Sequence, residues 1–263
     1  PKDIRAEIQI LLPFIDGFRT VSDIVSNVRL SPFVTMSTLC ELVKTRIISL
    51  KNANEVLQLA KLDVFKEDIT KRIDLYERAI ELGAKSQEIV VWLAHSYEIM
   101  GMRDKASKQY LELGYHHLHA GKYDEAAESF EKVAQICPDN LEAQERLVTL
   151  LAKIGNLEKF AIKTNVYARW LAMQGQQHRA IMILKEATEK YPKNLDNFDL
   201  LGSFYQESGY NFEATNAYKF AANLNIKQEN YENAAKSYKK ILSIEQTNFE
   251  CRKLLGNALN KMG

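Results

Sequence analysis

The sequence lacks the features that most readily identify a function. Its three cysteines, Cys40, Cys137 and Cys251, are odd in number and far apart. That fits neither a disulfide framework nor a Cys-x-x-Cys motif, and they read as buried, reduced thiols of a cytosolic protein. Charge of one sign is also missing: 35 Lys and Arg stand against 34 Asp and Glu, a net charge of +1. Bulk charge therefore directs the chain to neither nucleic acid nor a membrane. No apolar run approaches the ~18 residues that a membrane-spanning helix needs. The glycine-rich phosphate loops, the Gly-x-Ser-x-Gly elbow and the His-Glu-x-x-His zinc motif are all absent. No carboxylate pair sits in apolar surroundings that would separate two pKa values. No catalytic residue and no cofactor are expected, and the chain does not read as an enzyme. The one histidine cluster, His116, His117 and His119, falls short of a zinc ligand set. It reads as surface histidines flanking Leu118, with no metal.

What the chain does have is a period. Gly101, Gly155, Gly209 and Gly263 are each 54 residues apart, as are Gly121 and Gly175, and the next step lands on Glu229. The intervals alternate 20 and 34. A fixed period over two thirds of a chain signals stacked copies of one supersecondary unit. Such stacks build long surfaces that hold other proteins.

Within the period, residues 107–140 resemble a tetratricopeptide repeat (TPR). Leu113 and Gly114 match its first helix, Gly121 and Tyr123 its turn, and Ala126, Phe130 and Pro138 its second helix and stop. The small residues let two antiparallel helices approach. Gly121 ends the first helix, and Pro138 cannot continue the second. Ala168, Gly175, Ala180, Leu184 and Pro192 repeat the template one period on, and Ala222, Glu229, Ala234, Tyr238 and Gln246 repeat it again. Asn140, Asn194 and Asn248 keep phase as candidate helix caps. Each 54-residue unit is expected to hold three helices, near 103–120, 123–137 and 140–154 in one copy, the first of them shared by two repeats. Turns are expected near 101, 121, 155, 175 and 209. The array is taken to start near residue 67.

Residues 1–50 do not fit the repeat. Ile4, Ile8, Leu11 and Ile15 suggest a first helix ending at Gly17; Thr20 or Ser22 caps a second; Ser31-Pro32 starts a third running to Ile47-Ile48. Three such helices make a helix-turn-helix core. Asp16, Gly17, Arg19 and Thr20, followed by Leu42, Val43, Ile47 and Ile48, resemble the winged-helix end of bacterial PatA-like domains, with Arg46 where that pattern has glycine. The resemblance implies a bacterial signalling, polarity or motility setting. As a DNA reader the third helix would offer Ser31, Thr35, Ser37, Thr38, Glu41, Lys44 and Thr45. Residues 1–51 carry only seven Lys and Arg against five Asp and Glu, so nucleic acid is not the expected partner.

The expected fold is all-α: a helix-turn-helix, winged-helix-like module over 1–50, a linker over 51–66, and a right-handed TPR-type α-solenoid over 67–263. Position 1 is proline and the repeats run to Gly263 without a polar closing helix, so the natural chain is expected to continue at both ends. The expected function is a non-catalytic protein-interaction scaffold in the bacterial cytoplasm. Its partner would be a protein or peptide, such as a small Ras-like GTPase or a response regulator. A DNA-binding transcriptional regulator and a pilus or secretion scaffold are the alternatives.

The resemblance also implies a groove lined by the first helices of the repeats. On that phase the partner-binding candidates are His95, Glu98, Tyr115, His119, Glu145, Arg169, Met173, Asp199, Gln206 and Glu207. Across the three phase-matched sets, acids outnumber bases seven to one, which suggests an acidic stripe for a basic partner. Acids in first turns also complement the helix dipole, and the two readings stand side by side.

Overall fold

The computed structural model describes residues 2–62 and 68–262. Gly263 and the 66/67 boundary expected between linker and repeats lie outside the described residues. Every regular element among the described residues is helical. The chain divides into two compact units, 1–89 and 90–263.

In the first unit, α1 (Lys2–Leu11) and a short 3-10 turn (Leu12–Phe14) precede α2 (Val21–Asn27) and α3 (Pro32–Lys44). Asp16 builds the turn between them. Its carboxylate accepts the amides of Phe18 (2.9 Å) and Arg19 (3.0 Å) and pairs with the Arg19 guanidinium at 3.3 Å. Gly17 supplies the positive φ of 81° that this turn needs. Thr20 then caps α2 in a reciprocal box with Asp23, and Ser31 caps α3 ahead of Pro32. Leu11, Ile24, Val28 and Leu39 form the small core. Two expectations change here. Thr35 and Thr38, counted as surface positions of α3, are buried, and the Thr35 hydroxyl donates to the Ser31 carbonyl at 3.1 Å. Cys40, expected to be buried, is exposed, while Cys251 is buried and Cys137 partly so. Arg46 adopts φ 58°, the conformation for which glycine is the easier residue.

Residues 51–66 are not a plain connection. Ala53–Ala60 forms α4, begun by a capping box of Asn52 and Glu55, and it packs on α5 (Ile69–Glu81). The Arg72 Nε donates to the Ala60 carbonyl at 3.0 Å, closing the C-terminal end of α4.

After α6 (Gln87–Ile99) the remaining helices follow at short intervals. They are α7 (Arg103–His119), α8 (Tyr123–Ile136) and α9 (Leu141–Ile154); α10 (Leu157–Met173), α11 (Gln177–Lys190) and α12 (Leu195–Glu207); α13 (Asn211–Lys227), α14 (Tyr231–Ile244) and α15 (Phe249–Met262). Residues α7, α10 and α13 start with, 103, 157 and 211, are 54 apart. The turns at 101, 121, 155, 175 and 209 each carry a glycine at positive φ, and Glu229 takes the same conformation at φ 59°. Asn140, Asn194 and Asn248 each accept the amide three residues on.

Short connections force each helix to run back along its predecessor. Close approach then depends on small residues facing rings. A Cβ on Gly114 would lie 3.0 Å from the Phe130 ring, and one on Gly202 only 2.6 Å from the Tyr218 ring. Helices also meet the next but one: α6 and α8 through Glu98–Lys132, α8 and α10 through Glu131–Lys163, and α10 and α12 through Asn165–Asn197. On the other side, α7 and α9 meet through Tyr115–Glu142, and α9 and α11 through Glu145–Arg179. The array is thus two layers of helices over one apolar core that runs from Val90 to Phe204, with a further cluster in α13–α15.

Gly202→Ala should lower unfolding free energy by about 1–3 kcal/mol, because the Tyr218 ring must move. Gly256→Ala, in a helix and with nothing within 4 Å of the new Cβ, should raise it by up to ~1 kcal/mol. Urea titrations of the two variants decide this; equal effects would mean that ring contact does not set the spacing. Glu229→Gly should add roughly 1 kcal/mol by relieving the left-handed backbone, read as an upward shift of the thermal midpoint.

Candidate functional site

The ten candidates do not line one groove. His95 and Glu98 on α6, Arg169 and Met173 on α10, and Asp199, Gln206 and Glu207 on α12 belong to one helix layer. Tyr115 and His119 on α7 and Glu145 on α9 belong to the other. The physical reason is the odd number of helices per 54 residues. Strict alternation sends corresponding helices of successive units to opposite layers.

Nor is the acidic stripe free to attract a basic partner. Glu98 holds the Tyr110 hydroxyl at 2.6 Å and the Lys132 ammonium at 3.0 Å. Glu145 pairs with Arg179 at 2.5 Å, and Asp199 with Lys240 at 2.7 Å. Glu207 accepts from the Gln177 amide at 2.8 Å, and the Gln206 side-chain carbonyl accepts from the Tyr218 hydroxyl at 3.3 Å. The bases come from second helices of the repeats, which a count along first helices omits. Tyr115 donates to Glu142, sets its ring edge-on to Phe130 and lies under Arg146. His95 and His119 are exposed.

Charge and hydrogen bonding act together at Glu98. The Tyr110 hydrogen bond, followed by Lys132, holds its carboxyl below the usual range against the opposing effect of burial. Burial and Glu98 push the Tyr110 phenol up. A similar set recurs at Tyr218, whose hydroxyl reaches Ser203 and Gln206 and whose ring lies 5.1 Å from the Lys240 ammonium.

A second feature lies on α10. Ile162, Val166, Arg169 and Met173 follow an i, i+4, i+7, i+11 pattern, which puts them on one helix face. All four are exposed, Met173 at 73%. The Arg169 Nε donates to Asn165 at 3.0 Å, and Asn165 donates to Asn197 at 3.1 Å. Asn197 is buried and donates in turn to the Ala161 carbonyl at 3.0 Å. This ladder fixes the guanidinium beside the apolar side chains. Tyr115 and His119 stand at the corresponding positions of α7, and Asn223 and Lys227 at those of α13. The apolar stripe is therefore particular to α10. Sequence reading placed Ile162, Arg169 and Met173 on the lining face of this helix but missed Val166 as their exposed companion; the i, i+4 spacing from Ile162 carried that signal.

Among the described residues no three or more His, Cys, Asp or Glu side chains gather as a metal site, and no helix is long and apolar enough to cross a membrane.

Because the folded state lowers the Glu98 pKa, its stabilisation is complete above the unfolded carboxylate value of about 4.3. It is lost as pH falls through the lower folded value. The gap in melting temperature between the native chain and Glu98→Gln should therefore be open at pH 7 and close below about pH 4. A gap that stays constant down to pH 3 would remove the ionised carboxylate from the account.

Residues 107–140, 167–194 and 215–248 each match a model of the tetratricopeptide repeat. No curated protein matches the chain. Among solved structures, MamA is 22% identical, with 59% of this chain and 91% of that chain covered and a TM-score of 0.33. The assembly chaperone of RpL4 is 17% identical, with 81% and 97% covered and a TM-score of 0.37. The Rap conjugation gene regulator of plasmid pLS20, in complex with the Phr* peptide, is 16% identical, with 79% and 62% covered and a TM-score of 0.39. The third sequence match includes Glu229 and Gln246, where glycine and proline stand in earlier copies. The chain carries tetratricopeptide repeats in three successive stretches of a two-layer helical array.

Proposed function

We propose that this protein is a non-catalytic interaction scaffold and that the exposed face of α10 docks a partner protein or peptide. The observation that carries the reading is the Ile162, Val166 and Met173 stripe with Arg169 fixed beside it. A soluble surface gains nothing by exposing three large apolar side chains in a row, whereas an interface core uses them together with arginine. The tetratricopeptide matches support the same reading, since arrays of this kind present long surfaces to other proteins.

In this reading residues 67–263 form the array, built from 54-residue units of three helices in which the long first helix serves two repeats. Residues 1–50 form a separate helix-turn-helix module, joined through 51–66. The PatA-like resemblance of residues 16–48 supports a bacterial signalling, polarity or motility assembly in the cytoplasm, with a small Ras-like GTPase or a response regulator as the partner class. The buried Thr35 and Thr38 leave α3 few side chains for base edges, so a DNA-reading role is not favoured.

The full chain immobilised in lysate of its own cells should retain a defined partner. The double variant Val166→Asp and Met173→Asp should retain at least about tenfold less of it, as expected for loss of an apolar anchor pair, with an unchanged circular dichroism spectrum. Equal retention by both proteins would refute the α10 face as the docking surface. Salt-sensitive retention of duplex DNA instead would point to the regulator.

A further inference from the structure

The three 54-residue units are not equivalent at one place. In the first, Tyr110, Glu98 and Lys132 form a plug between α6, α7 and α8. In the third, Tyr218, Gln206 and Lys240 do the same between α12, α13 and α14. In the middle unit all three members change, to Thr164, Ala152 and Glu186. Ala152 has neither the length nor the charge to bridge, and the buried Thr164 hydroxyl has no hydrogen-bond partner.

A cleft of about 470 Å³ opens there between α9, α10 and α11. Val148, Ala152, Phe160 and Ile183 give it apolar walls. Tyr167 also lines it. This side chain is 2% exposed, and among the described residues its hydroxyl has no partner at hydrogen-bond distance, although the Glu145 carboxylate acts on it from the rim. Leu113 and Ala221 stand at the same phase in the other units, so the phenol is peculiar to this cleft. Burial, foremost, and the Glu145 carboxylate push its pKa up, so at neutral pH it keeps its proton and can donate to a better-placed acceptor. A buried hydroxyl without a well-placed partner destabilises the empty cleft, and a ligand oxygen would offset that.

The rim has a definite charge. Arg179 is paired with Glu145, and Lys190 with Glu186 at 2.6 Å. Lys153 lies 3.8 Å from the centre of the Tyr123 ring and has no ion pair among the described residues. One positive charge is thus left over beside an apolar cleft with a donor inside it. On a helix of 3.6 residues per turn, Phe160, Thr164 and Tyr167 share one side of α10. Ile162, Val166, Arg169 and Met173 share the opposite side.

We infer that the α9–α10–α11 cleft is a second docking site, on the face opposite the α10 stripe, for an extended segment that inserts a large apolar side chain and carries an acidic neighbour. The apolar side chain packs against Phe160 and Ile183. A backbone carbonyl of the segment accepts from the Tyr167 hydroxyl, and the acidic side chain pairs with Lys153. The site does not depend on the stripe: both can be occupied at once.

The test uses the full chain and three acetylated, amidated pentapeptides. One has phenylalanine flanked by glutamates, one has alanine at the centre, and one has phenylalanine flanked by lysines. Calorimetry should show binding of the first and at least tenfold weaker binding of the other two. Ala152→Glu, which restores the in-phase acid of the first unit, should abolish binding. Tyr167→Phe should weaken it by about 2- to 10-fold, the worth of one hydrogen bond. Lys153→Glu should exchange the preference from the acidic to the basic peptide. That last variant lies on the surface and keeps the test decisive should Ala152→Glu disturb folding. No binding of the acidic phenylalanine peptide at about 1 mM would overturn the inference, as would binding indifferent to Lys153→Glu. The double variant Val166→Asp and Met173→Asp should leave peptide binding unchanged. Loss of partner capture in that variant with intact peptide binding separates the two sites. Intact capture with no peptide binding removes the cleft alone.

Discussion

Close approach of antiparallel helices is the constraint on which this molecule rests. The Phe130 ring can sit where it does only because residue 114 has no side chain, and the Tyr218 ring only because residue 202 has none. These contacts hold consecutive helices near enough for a continuous core, and that nearness brings each helix within reach of the next but one. The inter-helix pairs at Glu98, Glu131, Glu145 and Asp199 then follow from geometry. Such half-exposed pairs add little stability singly; their effect is to fix which side chains remain unpaired and exposed.

Much of the helical layout was legible in the sequence. The period located the turns of α7–α15 because a left-handed backbone position favours glycine wherever it recurs, and Glu229 shows that the position persists when the residue does not. Asparagine caps kept the same phase. The helix α4 was legible too, since Asn52 and Glu55 are spaced as a capping box ahead of Val56 and Leu59, but it lies outside the period and was read as a connection. Thr35 and Thr38 show the limit of polarity as a guide to exposure: a threonine whose hydroxyl bonds back to its own helix, as Thr35 does, can be buried.

The binding surface was the part the sequence concealed. Positions with equal phase have equal local environments, but their orientation toward solvent depends on which layer the helix joins. Charge has the same difficulty. Lys132, Arg179 and Lys240 reach their acids from 34 to 41 residues away, so an excess of acid counted along first helices shrinks once second helices are in place. The informative differences are those that break phase, such as Thr164 between two tyrosines and Tyr167 between Leu113 and Ala221.

With three helices to each 54-residue unit, as proposed, the array has a parity. A residue and its counterpart 54 positions later look out on opposite sides, and only the counterpart 108 positions away returns to the first side. Duplicating one unit would therefore turn every downstream surface over, whereas duplicating two would leave each in place. Lengthening by single units is closed to such a chain once both faces are in use, and its growth is restricted to steps of six helices.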